Sequence, residues 1–163
     1  MKLYHGSTMC IPEPRLLPVN RRLDFGPGFY TTTDMQQARR WANIKSQRIM
    51  APQAVVSVYE TGEIFTSETL AVKWFTQPNE EWLDFVMINR IGDGAGVKVY
   101  DVIRGPVAND TLYETLTLFE RGILTRTEAI VRLRTHTLAD QVVFSTPTAL
   151  ASLRYESCVE ATR

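Results

Sequence analysis

Cysteine is scarce in this chain: there are two in 163 residues, Cys10 and Cys158, one near each end. Neither belongs to a Cys-x-x-Cys pair or a Cys/His cluster, so the usual sequence grounds for a zinc site or a disulfide framework are missing, and a reducing cytoplasm is the expected compartment. Histidine is equally scarce, at His5 and His136. Net charge is lacking too. Eighteen basic and eighteen acidic residues cancel, so no whole-molecule field draws the protein to nucleic acid or an anionic membrane, although a local basic patch is compatible with that balance. No apolar run reaches the roughly 20 residues needed to span a bilayer, and the opening Met1-Lys2-Leu3-Tyr4-His5 has no apolar signal region. Classical export and membrane insertion are both disfavoured. There is no Gly-x-Gly-x-x-Gly turn after the first strand and no Walker loop, so a nucleotide would have to be held by other means. Repeats, low-complexity tracts and linkers are also absent, which leaves residues 1–163 as one domain.

What is present is the composition of a folded globular domain, 44% apolar and 22% charged. Lys2 to Tyr4 reads as a short strand ending at Gly6-Ser7. Pro12, Pro14 and Pro18 then impose a loop. Asp24-Phe25-Gly26-Pro27-Gly28 turns the chain into a second strand, Phe29 to Thr31. A helix starts at Thr33, taken as its N-cap with Asp34 in the first turn, and Met35, Ala38, Trp41 and Ala42 share one face. Ala54 to Tyr59 is β-branched enough for a buried strand. Helices are expected over Glu68 to Phe75 and Glu80 to Arg90, then a loop at Gly92-Asp93-Gly94-Ala95-Gly96, and a strand over Val97 to Ile103 broken by Gly105-Pro106. Asn109 can cap a helix through Tyr113 to Glu120, and Thr125 or Thr127 can start another to Arg134. Strands over Asp140 to Ser145 and Leu153 to Val159 close the chain, separated by Pro147 and a short helical turn. Without regular strand-helix alternation, the fold class is α+β.

Two segments carry the chemistry: Leu3-Tyr4-His5-Gly6-Ser7 on the first strand and Gly28-Phe29-Tyr30-Thr31-Thr32 on the second. Together they resemble the ADP-ribosyltransferase superfamily in its diphtheria-toxin and poly-ADP-ribose-polymerase branch, which lines its NAD pocket with His-Gly and Gly-aromatic-Tyr segments. The third element of that pattern, a late strand bearing Glu, is matched by Asp140-Gln141-Val142-Val143-Phe144, with Gln141 in the glutamate's place. The resemblance runs in order along nearly the whole chain. It implies an ADP-ribosyltransferase-like split β-sandwich of short strands with flanking helices, and NAD as co-substrate. The wording around Leu23-Asp24-Phe25-Gly26 and Gly105-Pro106-Val107-Ala108-Asn109-Asp110 is similar to a bacterial subfamily often associated with toxin-antitoxin pairs. That implies a cognate antitoxin protein as a partner.

Under this resemblance His5 hydrogen-bonds a ribose hydroxyl, Gly6 meets the carboxamide through its backbone, and Tyr30 stacks on the nicotinamide ring. These roles suit a ring with donor and acceptor, a residue without Cβ, and an aromatic face. The implied catalytic set is His5, Tyr30 and Gln141. The implied NAD-binding set adds Gly6, Ser7, Gly28, Phe29, Thr31, Trp41 and Arg22. Arg22 is chosen for the pyrophosphate over Arg15, Arg21, Arg39 and Arg40 because it adjoins the Leu-Asp-Phe-Gly segment, guanidinium groups being suited to phosphate. Each has a plainer reading. His5 can be a strand-end histidine satisfied by backbone, Tyr30 and Trp41 core residues, and the arginines solvated charges. Asn109 and Asp110 are secondary candidates better read as a cap, and His136 reads as a solvated loop residue.

Gln141 departs from the family pattern, because an amide can orient a ribose but supplies no charge. A carboxylate ~4 Å from the developing oxocarbenium ion is worth on the order of 4 kcal/mol at an effective dielectric of 20, or about three decades in rate. Asp140 is next door, but adjacent strand residues face opposite ways, so Asp140 and Gln141 cannot both serve. A mono-ADP-ribosyltransferase acting as a toxin on a protein or nucleic-acid acceptor is the leading expectation. An NAD glycohydrolase and a catalytically silent NAD-binding or interaction module are the alternatives.

Overall fold

The computed structural model describes residues 1–18, 23–91, 98–107, 110–134 and 139–161. Arg21, Arg22, Asn109, His136 and the glycine-rich 92–96 segment lie outside the described residues. The elements run β1 (Lys2–Ser7), β2 (Phe29–Thr31), α1 (Met35–Ile49), β3 (Val55–Glu60), β4 (Val72–Trp74), α2 (Glu80–Ile91), β5 (Val102–Pro106), α3 (Asp110–Glu120), α4 (Arg126–Arg134), β6 (Asp140–Phe144), α5 (Pro147–Leu150) and β7 (Arg154–Glu160). They form two sheets, ordered β1-β3-β7 and β2-β6-β5-β4, in an α+β arrangement.

Alternation along the strands sorts the core into layers. Leu3 and Tyr59 of the first sheet share an apolar cluster with Phe29, Val102, Val142 and Phe144 of the second, so the sheets face each other. The other face of the second sheet, with Tyr30, Ile103 and Val143, packs on α2, α3 and α4 through Trp82, Leu83, Leu116 and Leu133. The outer face of the first sheet takes Ala38 and Ala42 of α1 against Val56. At Gly6 that contact is so close that a Cβ would lie 2.1 Å from the Ala38 carbonyl oxygen. Glycine is therefore required there for the helix to seat on the strand.

Several expectations from sequence are corrected. β1 continues through Gly6-Ser7, because β3 pairs with it as far as Ser7↔Val55. The N-cap of α1 is Asp34, whose carboxylate accepts from the Gln36 amide, while the Thr33 hydroxyl donates to Asp140 and cannot cap. The helix expected over Glu68 to Phe75 does not form: a 3-10 turn, Ile64–Thr66, precedes that stretch, and within it Val72, Lys73 and Trp74 form β4, pairing in parallel with Val102, Ile103 and Arg104, a tertiary pairing that overrides local helical pattern. β5 starts at Val102 and includes Gly105 and Pro106. Asp101, just before it, bonds both neighbouring segments through its main chain, its amide donating to the Ala71 carbonyl (2.7 Å) and its carbonyl accepting from the Ser145 amide (2.9 Å), while its carboxylate accepts from the Ala71 amide and the Thr146 hydroxyl; Gly105 lies so close beneath Phe25 that a Cβ would be 2.8 Å from its ring.

The cysteines are not free. Cys10 and Cys158 form a disulfide across 148 positions. The loop after β1 crosses β3, where the Ile11 amide donates to Ser57 Oγ and the Tyr59 hydroxyl donates to the Ile11 carbonyl. Cys158 is the cross-strand neighbour of Ser57, so the loop delivers Cys10 to it. With the pair bonded, cysteine usage no longer argues for a reducing compartment. Among the described residues no helix is long and apolar enough to cross a membrane.

Candidate functional site

β1 and β2 touch at one point, where Tyr4 and Thr32 exchange backbone hydrogen bonds of 2.9 and 3.0 Å. Beyond this bridge the strands part, β1 staying with β3 and β2 joining β6. Because Tyr4 turns its amide and carbonyl toward β2, alternation turns those of Gly6 the same way. No backbone hydrogen bond joins Gly6 to β2. The parting thus leaves a seam with Gly6 main-chain groups on one bank and Tyr30 on the other.

His5 closes the inner end of the seam. Its Nδ1 lies 2.6 Å from the Tyr30 carbonyl oxygen, and its ring stacks on Phe29 with centroids 4.5 Å apart. A carbonyl only accepts, so Nδ1 carries the proton and Nε2 keeps its lone pair. Burial pushes the imidazole down to about 4; the Tyr30 carbonyl opposes this and the Lys45 charge adds to it. At neutral pH His5 is therefore an uncharged acceptor at Nε2.

Tyr30 is half-buried, and its hydroxyl is engaged. It donates to the Gly26 carbonyl at 2.7 Å and accepts from the Phe25 amide at 3.2 Å, so it clamps the turn that leads into its own strand. That turn is braced from α2 by the Asp24–Arg90 pair, at 3.2 Å and mostly buried. Burial raises the Asp24 carboxyl while Arg90 opposes the rise. Tyr30→Phe is accordingly expected to lower stability by about 1 kcal/mol through the lost clamp. It should leave ring-based ligand binding largely intact, whereas Tyr30→Ala should lose both. Denaturant unfolding and NAD calorimetry on the two variants check the ordering.

On β6, Gln141 precedes Val142 and Val143, which pair with Thr31 and Tyr30. Strand alternation puts Gln141 on the same face as Tyr30. It is only 3% exposed, and its Nε2 has no hydrogen-bond partner. Asp140 faces the other way. One of its oxygens accepts from the Thr33 amide (2.9 Å), the Thr33 hydroxyl (2.8 Å) and the Thr32 hydroxyl (3.3 Å), and the other takes Arg104 Nε and Nη2, each at 2.8 Å. Every acceptor direction of this carboxylate is used in holding β2, β5 and β6 together.

The structure thus brings His5, Gly6, Tyr30 and Gln141 onto three successive strands around the seam, with His5 on the inter-sheet side and Tyr30 and Gln141 on the other. Phe29 and Thr31 are buried, the Thr31 hydroxyl bonding the Val142 carbonyl, and Gly28 packs on Val143 and Phe144. Trp41 sits half-buried on α1 outside the core clusters. Arg15 is exposed beside Glu13, and Arg40 bonds Gln37 and Asp34. Sequence reasoning missed Lys45, whose Nζ lies 3.3 Å from Ser7 Oγ, and the Asp24–Arg90 and Asp140–Arg104 braces. Lone charged residues at those separations carry no local signal. A cavity of about 820 Å³ between Met1, Glu60, Phe65 and Arg154 and one of about 200 Å³ beside Trp74 and Arg104 both lie away from the seam.

Compared with known families, residues 1–155 match the model of the family described as "Protein of unknown function (DUF3990)". The chain belongs to this family. No curated protein and no solved structure matches it.

Proposed function

We propose that this DUF3990 member binds NAD in the seam between β1 and β2 and transfers its ADP-ribose to a protein or nucleic-acid acceptor. The observation that carries the reading is the parting of the strands after the Tyr4–Thr32 bridge. It leaves a main-chain donor and acceptor at Gly6 on one bank and Tyr30 on the other, with the His5 Nε2 lone pair on the inter-sheet side of the same strands. A carboxamide needs a paired donor and acceptor, a ribose hydroxyl needs an acceptor, and a flat heterocycle needs an aromatic wall. Those are the three demands of the nicotinamide riboside half of NAD. The likeness of the two motif segments to ADP-ribosyltransferases points the same way.

In this reaction the bond from the ribose anomeric carbon to the nicotinamide nitrogen breaks. Nicotinamide leaves with the electron pair, and the acceptor nucleophile bonds to the anomeric carbon and gives up its proton to solvent. His5 orients the ribose, Tyr30 holds the ring, and Gln141 hydrogen-bonds the ribose without adding charge. A toxin role, checked by a cognate antitoxin protein, fits the resemblance to toxin-antitoxin systems. One observation favours a second reading, a catalytically silent NAD-binding module: β6 offers no free carboxylate, since Gln141 is neutral and Asp140 is fully engaged.

Incubation with NAD labelled in the adenylate half, alone and with cell lysate, separates the readings. Label on protein or nucleic acid is the expected result. Free ADP-ribose alone would identify a glycohydrolase, intact bound NAD a silent module, and no binding at millimolar NAD would remove the NAD assignment.

A further inference from the structure

Helix α1 carries Arg39, Arg40, Lys45 and Arg48 and, from Met35 to Ile49, no carboxylate. Its N-cap Asp34 accepts from the Gln36 amide and pairs with Arg40 at 3.8 Å. Lys45 has Trp41 and Ile49 four residues away and Ala42 and Arg48 three away, so helical spacing gives it no acid to pair with. Its ammonium reaches off the helix to Ser7 Oγ at 3.3 Å. Ser7 is 2% exposed and lies two residues beyond His5 on the same face of β1. Trp41, Lys45 and Arg48, at i, i+4 and i+7, form one aromatic and cationic stripe along the flank of α1 that Lys45 directs at the strand.

An exposed ammonium with no counter-ion among the described residues, held against a buried hydroxyl at the end of the seam, offers two donors to one anionic oxygen. Charge-assisted bonds of this kind are the strong ones. On the NAD reading above, we propose that Lys45, with the Ser7 hydroxyl, grips a phosphate oxygen of the dinucleotide and so sets which way NAD runs out of the seam. The chemistry of this grip calls for a phosphate and discriminates against a bare nucleoside.

Calorimetry of wild type, Lys45→Gln and Lys45→Arg with NAD, ADP-ribose and nicotinamide riboside tests this. Lys45 is exposed, so both variants should keep the wild-type circular dichroism. Lys45→Gln should weaken NAD and ADP-ribose about tenfold, as expected for one charge-assisted bond, and leave nicotinamide riboside unchanged. Lys45→Arg should retain most of the affinity. Equal NAD affinity in wild type and Lys45→Gln would overturn the phosphate assignment and leave the NAD reading standing. An equal loss for the riboside would overturn it too, by showing that Lys45 acts on the sugar or ring. Absence of NAD binding by the wild type would remove both.

Discussion

Asp140→Ala is expected to destabilise the protein by about 3–5 kcal/mol, the scale for removing one partner of a largely buried, hydrogen-bonded ion pair. The variant strands the Arg104 guanidinium, which lies against the Phe65 and Trp74 rings and has its Nε and Nη2 committed to this carboxylate. It also unties Thr33, and with it the lead-in from β2 to α1. Gln141→Leu is the matched control. It deletes a buried amide nitrogen that has no partner, so stability should change by less than about 1 kcal/mol, while NAD turnover falls. Urea unfolding of both proteins, with nicotinamide release measured on the folded variants, decides the matter. A stable Asp140→Ala protein without turnover beside a fully active Gln141→Leu protein would show Asp140 to be the working residue of β6.

Acidification should be almost as damaging, through His5. Its folded pKa of about 4 lies below the ordinary histidine value of 6.5, so between those two pH values the unfolded chain binds a proton that the folded protein does not. Stability therefore rises with pH across that window. The His5 contribution is complete above pH 6.5 and is lost as pH falls through 4, and about 3 kcal/mol is at stake. The comparison to make is wild type against His5→Gln, since carboxylates titrate in both. The difference in unfolding free energy between them should shift by that amount from pH 7 to pH 4. A constant difference would mean that the imidazole is not held neutral in the seam. His5→Ala should in addition weaken NAD binding or turnover by about ten- to a hundredfold at pH 7, the loss of one hydrogen bond in a partly desolvated site.

By itself the sequence determined the α+β class, the places of β2, β3, α2, α4, β6 and β7 to within about two residues, and the His5 and Tyr30 segments as the distinctive text. Those features are local: helical stripes, β-branched runs, and turns marked by Gly, Pro and Asp act over a few residues and can be read where they stand. The parting of β1 from β2, which places His5 against the Tyr30 carbonyl, was decided by the tertiary structure. So were the replacement of an expected helix by edge strand β4, the disulfide between the two ends of the chain, the engagement of Asp140 by Arg104, and the approach of Lys45 to Ser7. Each of these is a pairing across 25 to 148 positions. Such a pairing forms only because the sheets bring two distant residues within bonding distance, and neither residue carries a mark of its partner in its own neighbourhood.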